Sequence, residues 1–311
     1  MVKLDYSVVV PVYNEEGNIS KLDKEIKQVM NKLGTYEVIY VNDSSTDNSL
    51  NELKALSKVK IINMNRNYGQ ATALEAGFKA SSGDIMVSLD GDGQNNPADI
   101  PRLLKKLKEE DLDVVAGWRK NRADKKGIKI LTKIGRFLRK IMIKDGVHDT
   151  GCTLRVYKKK AAQSLELQGE MHRYILALLK WKGFKIGELE VDDRKREHGV
   201  SKYGYSKAER GFIDLCYVWF MSKYSQRPLH IFGRASVISA FFATISFVLM
   251  VIARINGLSL NRNGWFFLFI LFTLVSILFF SFGIVMDLLI RISLHVSEND
   301  KRYYIREVLT R

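Results

Sequence analysis

Two carboxylates and a carboxamide fall within five residues in the segment Asp90-Gly91-Asp92-Gly93-Gln94. On an extended chain, side chains at i and i+2 project to one side, so Asp90 and Asp92 present hard oxygen ligands together. Mg2+ or Mn2+ suits such ligands, commonly pairing one or two carboxylates with substrate phosphates. Gly91 and Gly93 allow a tight turn and a close backbone approach. Calcium in a helix–loop–helix site is excluded, because no Glu closes a twelve-residue loop. Acidic loops are common, so position decides the matter. This one follows the apolar run Ile85–Leu89 and precedes a helix with Pro97 in its first turn. Asp43 stands at a similar place, after the run Glu37–Val41. Thr46 or Asp47 is expected to cap the next helix, which leaves Asp43 to hydrogen-bond a base or ribose. Pro11, Tyr13 and Glu15 cluster after a first run, Ser7–Val12, and Arg119 follows a fifth, Asp113–Ala116.

The elements that must position these groups alternate. Apolar β-branched runs at 7–12, 37–41, 59–62, 85–89 and 113–116 read as buried strands. Between them, 14–33, 47–56, 71–80 and 97–108 read as helices, the first with Ile19, Leu22, Ile26, Val29 and Leu33 on one face. The pattern predicts an α/β fold with a mostly parallel, doubly wound sheet. Ligands of such sheets bind outside the carboxyl ends of the strands. The candidate groups fall there.

The net charge of +15 implies a polyanionic partner, either nucleic acid or an anionic membrane surface. Two uncharged apolar stretches, Ala235–Ala253 and Trp265–Met286, decide for the membrane and against nucleic acid. The expected organisation is a cytoplasmic catalytic domain over residues 1–229, a transmembrane hairpin over 230–290 with spans of about 233–254 and 265–288, and a cytoplasmic tail over 291–311. The Lys and Arg excess on both flanks places them inside, and the N-terminus lacks the apolar region of a signal peptide. Basic amphipathic stretches at about 127–143 and 206–225 are expected to lie at the membrane interface. Cys152 and Cys216 carry no metal spacing and read as packing residues.

Together the segments PVYNEEGNI, VNDSSTDNS, NYGQATALEAGFKASSGD and DGDGQNNPADI resemble the family 2 glycosyltransferases. The segments DVVAGWRKNR, HDTGCTLRVY, GEMHRYI and REHGVSKYG narrow the likeness to the dolichyl-phosphate mannose synthase and polyisoprenyl-phosphate glycosyltransferase branch. The resemblance implies the Rossmann-like GT-A fold and an inverting, metal-dependent transfer of one hexose from a nucleotide-sugar to dolichyl or undecaprenyl phosphate. It favours UDP-glucose or UDP-N-acetylglucosamine over GDP-mannose. It further implies that Pro11, Tyr13, Glu15 and Asp43 hold the nucleoside, with Gly91 beside them. Asp90, Asp92 and Gln94 would form the Mg2+ or Mn2+ site, and Arg119, Arg196 and Lys202 would grip phosphates. The cell membrane, or the endoplasmic reticulum membrane in a eukaryote, is the implied location; a homo-oligomer is left open. Asn42 stands where many relatives have Asp, and Ser44 where many have Gly.

The charges fit that chemistry. A diphosphate leaving group needs cations, and a lipid phosphate with a second pKa near about 6 is already an anionic nucleophile. Two anions must meet, so the site needs cations more than it needs a general base. A processive polysaccharide synthase would carry more spans and a Gln-x-x-Arg-Trp motif, neither of which is present. A non-catalytic membrane scaffold has no use for the intact Asp90, Asp92 and Gln94 set.

Overall fold

The computed structural model describes residues 4–120, 146–167, 169, 171–192, 194, 216, 219, 220, 229–296 and 305–310. Four strands, β1 (Tyr6–Val12), β2 (Tyr36–Asn42), β3 (Lys60–Met64) and β4 (Ile85–Ser88), lie parallel around β1. Both faces of this sheet are covered by helices, which is why its strands read as nearly continuous apolar runs. Three connecting helices, α1 (Ile19–Met30), α2 (Ser49–Ala55) and α3 (Gln70–Ala80), join them in turn. The helix α4 (Ile100–Glu109) follows a single turn, Pro97–Asp99, capped by the Asn96 side chain on the Ala98 N–H. Then comes β5 (Val114–Trp118).

Helix α1 starts five residues later than its periodicity suggested. Asn14 takes a left-handed backbone, φ 56°, and residues 14–18 form a loop instead. On this helix Ile19, Leu22, Ile26 and Met30 are buried, while Val29 and Leu33 pack at its margin. Helices α1, α2 and α4 cover one face of the sheet, and α3 with the short helices Lys159–Gln163 and Ile175–Trp181 covers the other.

Three strands carry no clear pattern in the sequence. They are β6 (Arg155–Lys158), β7 (Ile186–Glu190) and β8 (Ile305–Thr310), and the sheet order is β7-β5-β6-β4-β1-β2-β3-β8. Strand β6 runs antiparallel between β4 and β5, and β8 runs antiparallel along β3. The chain winds from β1 to β2 and β3 on one side, then returns to β4 on the other. A crevice therefore opens at the carboxyl ends of β1 and β4.

By its contacts the chain forms two compact units, Met1–Trp219 with Arg302–Arg311, and Phe220–Lys301. The expected tail at 291–311 is thus divided: a helix runs on to Val296, and β8 joins the sheet. The second unit holds two helices long and apolar enough to cross a membrane, Leu229–Ile255 and Gly264–Val296. Between them lie Ser236, Ser239, Ala243 and Ser246, and the Ser276 hydroxyl bonds the Ser236 carbonyl at 3.0 Å. Large apolar side chains such as Phe241, Val248 and Leu274 face outward. The stretch at 127–143 lies outside the described residues, as does all of 206–225 except 216, 219 and 220.

Candidate active site

The loops after β1 and β2 are built as a pair. Asn14 donates its N–H to the Ser45 hydroxyl at 3.0 Å, and its side-chain oxygen accepts the Thr46 N–H at 2.8 Å. Glu15 and Glu16 donate their N–H groups to Ser49 Oγ and Asp47 Oδ2. The N-cap of α2 is Asn48, not Thr46 or Asp47, and it makes no side-chain cap bond; Asp47, one residue earlier, accepts the Ser49 N–H at 3.0 Å. Burial opposes ionisation of Asp47, yet these hydrogen bonds outweigh it and hold the carboxyl below its usual range. Ser44 has φ 59°, a left-handed conformation that costs a side-chain-bearing residue free energy and that glycine would adopt without strain.

Asp43 is not left free by the cap. Its two carboxylate oxygens accept the Tyr68 and Gly69 N–H groups at 2.7 and 2.8 Å, just ahead of α3. Burial raises its pKa, and these two bonds oppose the rise. Its first task is to hold the 68–69 turn; the remaining lone pairs can still accept from a ligand. Pro11 is buried in β1, and Tyr13 stands exposed beyond it. A Cβ at Gly91 would come within 3.2 Å of the Pro11 carbonyl oxygen and 3.3 Å of Val12 Cγ2. Glycine lets the β4 loop close against the end of β1.

Asp90 accepts from Gln70 Nε2 and lies beside the Thr153 side chain, while its own N–H donates to Asn95 Oδ1 at 3.2 Å. Asn95 Oδ1 also accepts the Thr153 hydroxyl at 2.7 Å. Burial, and next the charge of Asp92, push the Asp90 carboxyl up to about 7, against the pull of Thr153, Arg155 and Arg119. A buried carboxyl raised by the charge of its neighbour marks a donor set short of positive charge, so Asp90 and Asp92 fit a divalent ion. Asp92 Oδ1 accepts the Gln94 N–H at 3.0 Å, which shapes the turn. Among the described residues no group of three His, Cys, Asp or Glu side chains could form a closed metal cage.

Arg119 is nearly buried and bidentate on Asp149, with Nε to Oδ2 at 2.8 Å and a terminal nitrogen to Oδ1 at 3.3 Å. Burial opposes ionisation of Asp149, but the Arg119 bonds and charge and the Gly151 N–H outweigh it and lower its pKa. Arg119 is thus pre-aimed rather than loose. Arg155, fully buried on β6, spans the Thr150 and His172 carbonyls at 2.9 and 3.3 Å. Arg196 and Lys202 lie outside the described residues. Two positions ahead of Arg196, the Arg194 N–H bonds the Gln94 carbonyl at 3.1 Å, and its guanidinium reaches Glu25 and Asn96.

Sequence reasoning missed Gln70, Asn95 and Thr153 as partners of the acidic loop. Gln70 opens α3 and Thr153 precedes β6, so no local spacing relates either one to Asp90. Only the motif stretches that contain them, NYGQ and GCTLR, carried a signal.

A family model described as glycosyl transferase family 2 matches residues 7–165. A dodecaprenyl-phosphate galacturonate synthase from Rhizobium johnstonii is 32% identical, over 98% of this chain and 93% of its own. An undecaprenyl-phosphate 4-deoxy-4-formamido-L-arabinose transferase from Aeromonas hydrophila is 34% identical, over 97% and 93%. Among solved structures, glucosyl-3-phosphoglycerate synthase from Mycobacterium tuberculosis, in complex with Mn2+, uridine diphosphate and glucosyl-3-phosphoglycerate, aligns with a TM-score of 0.56. At 18% identity, over 70% of this chain and 80% of that one, it establishes the likeness of fold alone.

Proposed function

The chain belongs to glycosyl transferase family 2 and is a glycosyltransferase, and from that premise we propose that it moves a single sugar from a nucleotide-sugar onto an undecaprenyl-type polyisoprenyl phosphate, with inversion. The observation that carries the reading is the placement of Asp43, Asp90, Asp92 and the Asp149-held Arg119 after the carboxyl ends of β2, β4 and β5 in one sheet. A chain of this kind whose two relatives act on prenyl phosphates, and which carries two long apolar helices, has the parts for a lipid acceptor.

In this reading the loops after β1 and β2 take the nucleoside through Pro11, Tyr13, Glu15 and Asp43, with the Gly91 backbone alongside. Asp90, Asp92 and Gln94 would hold Mg2+ or Mn2+, which supplies positive charge to the departing diphosphate when bound. Arg119, Arg196 and Lys202 would bring the two phosphate groups together. A prenyl phosphate oxygen then attacks the anomeric carbon from the face opposite the diphosphate. The carbon–oxygen bond to the diphosphate breaks, and the nucleoside diphosphate leaves. No base is needed to deprotonate a nucleophile that is already an anion.

UDP-hexoses remain the favoured donors. The galacturonate in one relative's name is a hexuronate and supports a hexose donor, whereas the formamido-arabinose in the other's is a pentose derivative and does not. We also infer that the catalytic unit and the C-terminus share the cytoplasmic side. A chain that crosses twice returns to the side it left, and the pairing of β8 with β3 demands the same return. The test incubates membranes containing the full chain with undecaprenyl phosphate and a panel of UDP- and GDP-sugars, with and without EDTA. One labelled sugar per lipid phosphate, abolished by EDTA and restored by Mn2+ or Mg2+, is expected. A water-soluble polymer, or transfer indifferent to EDTA, would overturn it.

A further inference from the structure

A row of polar side chains crosses three strands beside the nucleotide loops. Asn42 on β2 is directly opposite Asn63 on β3, and Asn63 is directly opposite Glu307 on β8. Asn42 and Asn63 are almost wholly buried. Ser45 N–H donates to Asn42 Oδ1 at 3.3 Å, Asn42 Nδ2 to Asn63 Oδ1 at 2.8 Å, and Asn63 Nδ2 to Glu307 Oε1 at 3.3 Å. The next link is Ser45 Oγ, which accepts the Asn14 N–H. We propose that Glu307, on the strand that follows the second apolar helix, is a positioning residue for the nucleotide pocket, acting through Asn63 and Asn42 on the Asp43–Ser45 turn. The inference rests on the reading of that pocket given above.

The argument is one of hydrogen-bond direction. A carboxylate only accepts, so it obliges Asn63 to turn its NH2 outward and its oxygen toward Asn42. Asn42 must then turn its NH2 toward Asn63 and its oxygen toward the Ser45 N–H. Each amide is oriented by the one before it, and the last acceptor lies under a turn whose Ser44 is held left-handed. If the row were reversed, Asn42 would present a donor to the Ser45 donor, and a half-buried N–H would lose its acceptor. The ion pair of Glu307 with Lys54, 3.4 Å between half-exposed groups, contributes little beside this. Residue 307 lies far outside the family match at 7–165, and it reaches the sheet only after both apolar helices have been made. The donor pocket is therefore completed by the chain's last strand.

The experiment uses the full chain in detergent and three substitutions, Glu307→Gln, Glu307→Ala and Glu307→Lys. Binding of UDP and of GDP with Mn2+ is measured by calorimetry, donor and acceptor KM and kcat by transfer, and folding by thermal melting. Gln keeps an acceptor and should stay within about twofold of the parent. Ala should weaken nucleotide binding and raise donor KM about tenfold, the worth of one hydrogen bond to a charged acceptor. Lys can only donate, so it reverses the row and should cost the most, with acceptor KM unchanged in all three. A flat series in a chain that binds nucleotide overturns the inference alone, as does Gln behaving like Lys. A parent chain that binds neither nucleotide overturns it together with the reading of the pocket.

Discussion

In the sheet unit, apolar side chains go inward and buried polar groups near the site are tied to particular partners. Arg155 spans two carbonyls, Asp43 spans two N–H groups, and the Asn42–Asn63 pair ends on Glu307. The helical hairpin reverses the pattern: Val237 and Phe241 are 70% and 62% exposed, whereas Ser236, Ser239 and Ser246 are buried between the helices. The difference follows from the solvent each unit meets. Water drives apolar surface into a core, while lipid tails are as apolar as the side chains and leave close packing and small polar contacts to join helices. Polar burial therefore means different things in the two units. In the sheet it places chemistry, and in the hairpin it brings two backbones together.

The sharpest way to break this contrast is at the acidic loop. Asp92→Ala should lower transfer by about a hundredfold or more, with the melting temperature and membrane insertion unchanged. Ser236→Ala, which removes a hydroxyl from the helix contact, should leave transfer within about twofold. Equal losses in both would erase the distinction between a chemical and a packing role. Transfer assays on matched membrane preparations decide it.

A smaller effect compares glycines. A Cβ at Gly77, in α3, would come within 2.3 Å of Val9 Cγ1 in the core, whereas one at Gly233, in the first apolar helix, meets nothing within 4 Å. Both substitutions to Ala improve helix propensity by about 1 kcal/mol. Gly77→Ala should nonetheless destabilise the sheet unit by about 1–3 kcal/mol through overpacking, while Gly233→Ala is neutral or stabilising. Thermal melts of the two variants in detergent would reveal the opposite signs.

The smallest effect concerns Cys152, whose thiol is raised to about 11 chiefly by burial. At pH 8 only about one molecule in a thousand carries the thiolate. A Cys216→Ser variant should therefore resist iodoacetamide while folded and take up one equivalent in denaturant. Labelling of the folded protein would mean that the β5–β6 region opens readily, and that the sheet unit is less closed than its packing implies.

Much of this molecule was legible in order. Runs of β-branched residues mark β1 to β5, because a sheet covered on both faces needs unbroken apolar strands. The motif residues fall at strand ends because that is where a doubly wound sheet leaves its crevice. The two apolar helices were legible by length and lack of charge. Strands β6, β7 and β8 were not. Each is short and mixes charged with apolar residues, and each is a strand only because a neighbour supplies its hydrogen bonds.

The local chain, then, dictated which segments fold and which residue types face a phosphate or a metal, because periodicity and side-chain chemistry act over a few residues. Tertiary structure alone decided that Asp149 aims Arg119, that Gln70 and Thr153 meet Asp90, and that Glu307 closes on Asn63 across 244 positions. Those are contacts between groups remote along the chain. No sequence spacing encodes them, and they exist only once the sheet has brought its strands side by side.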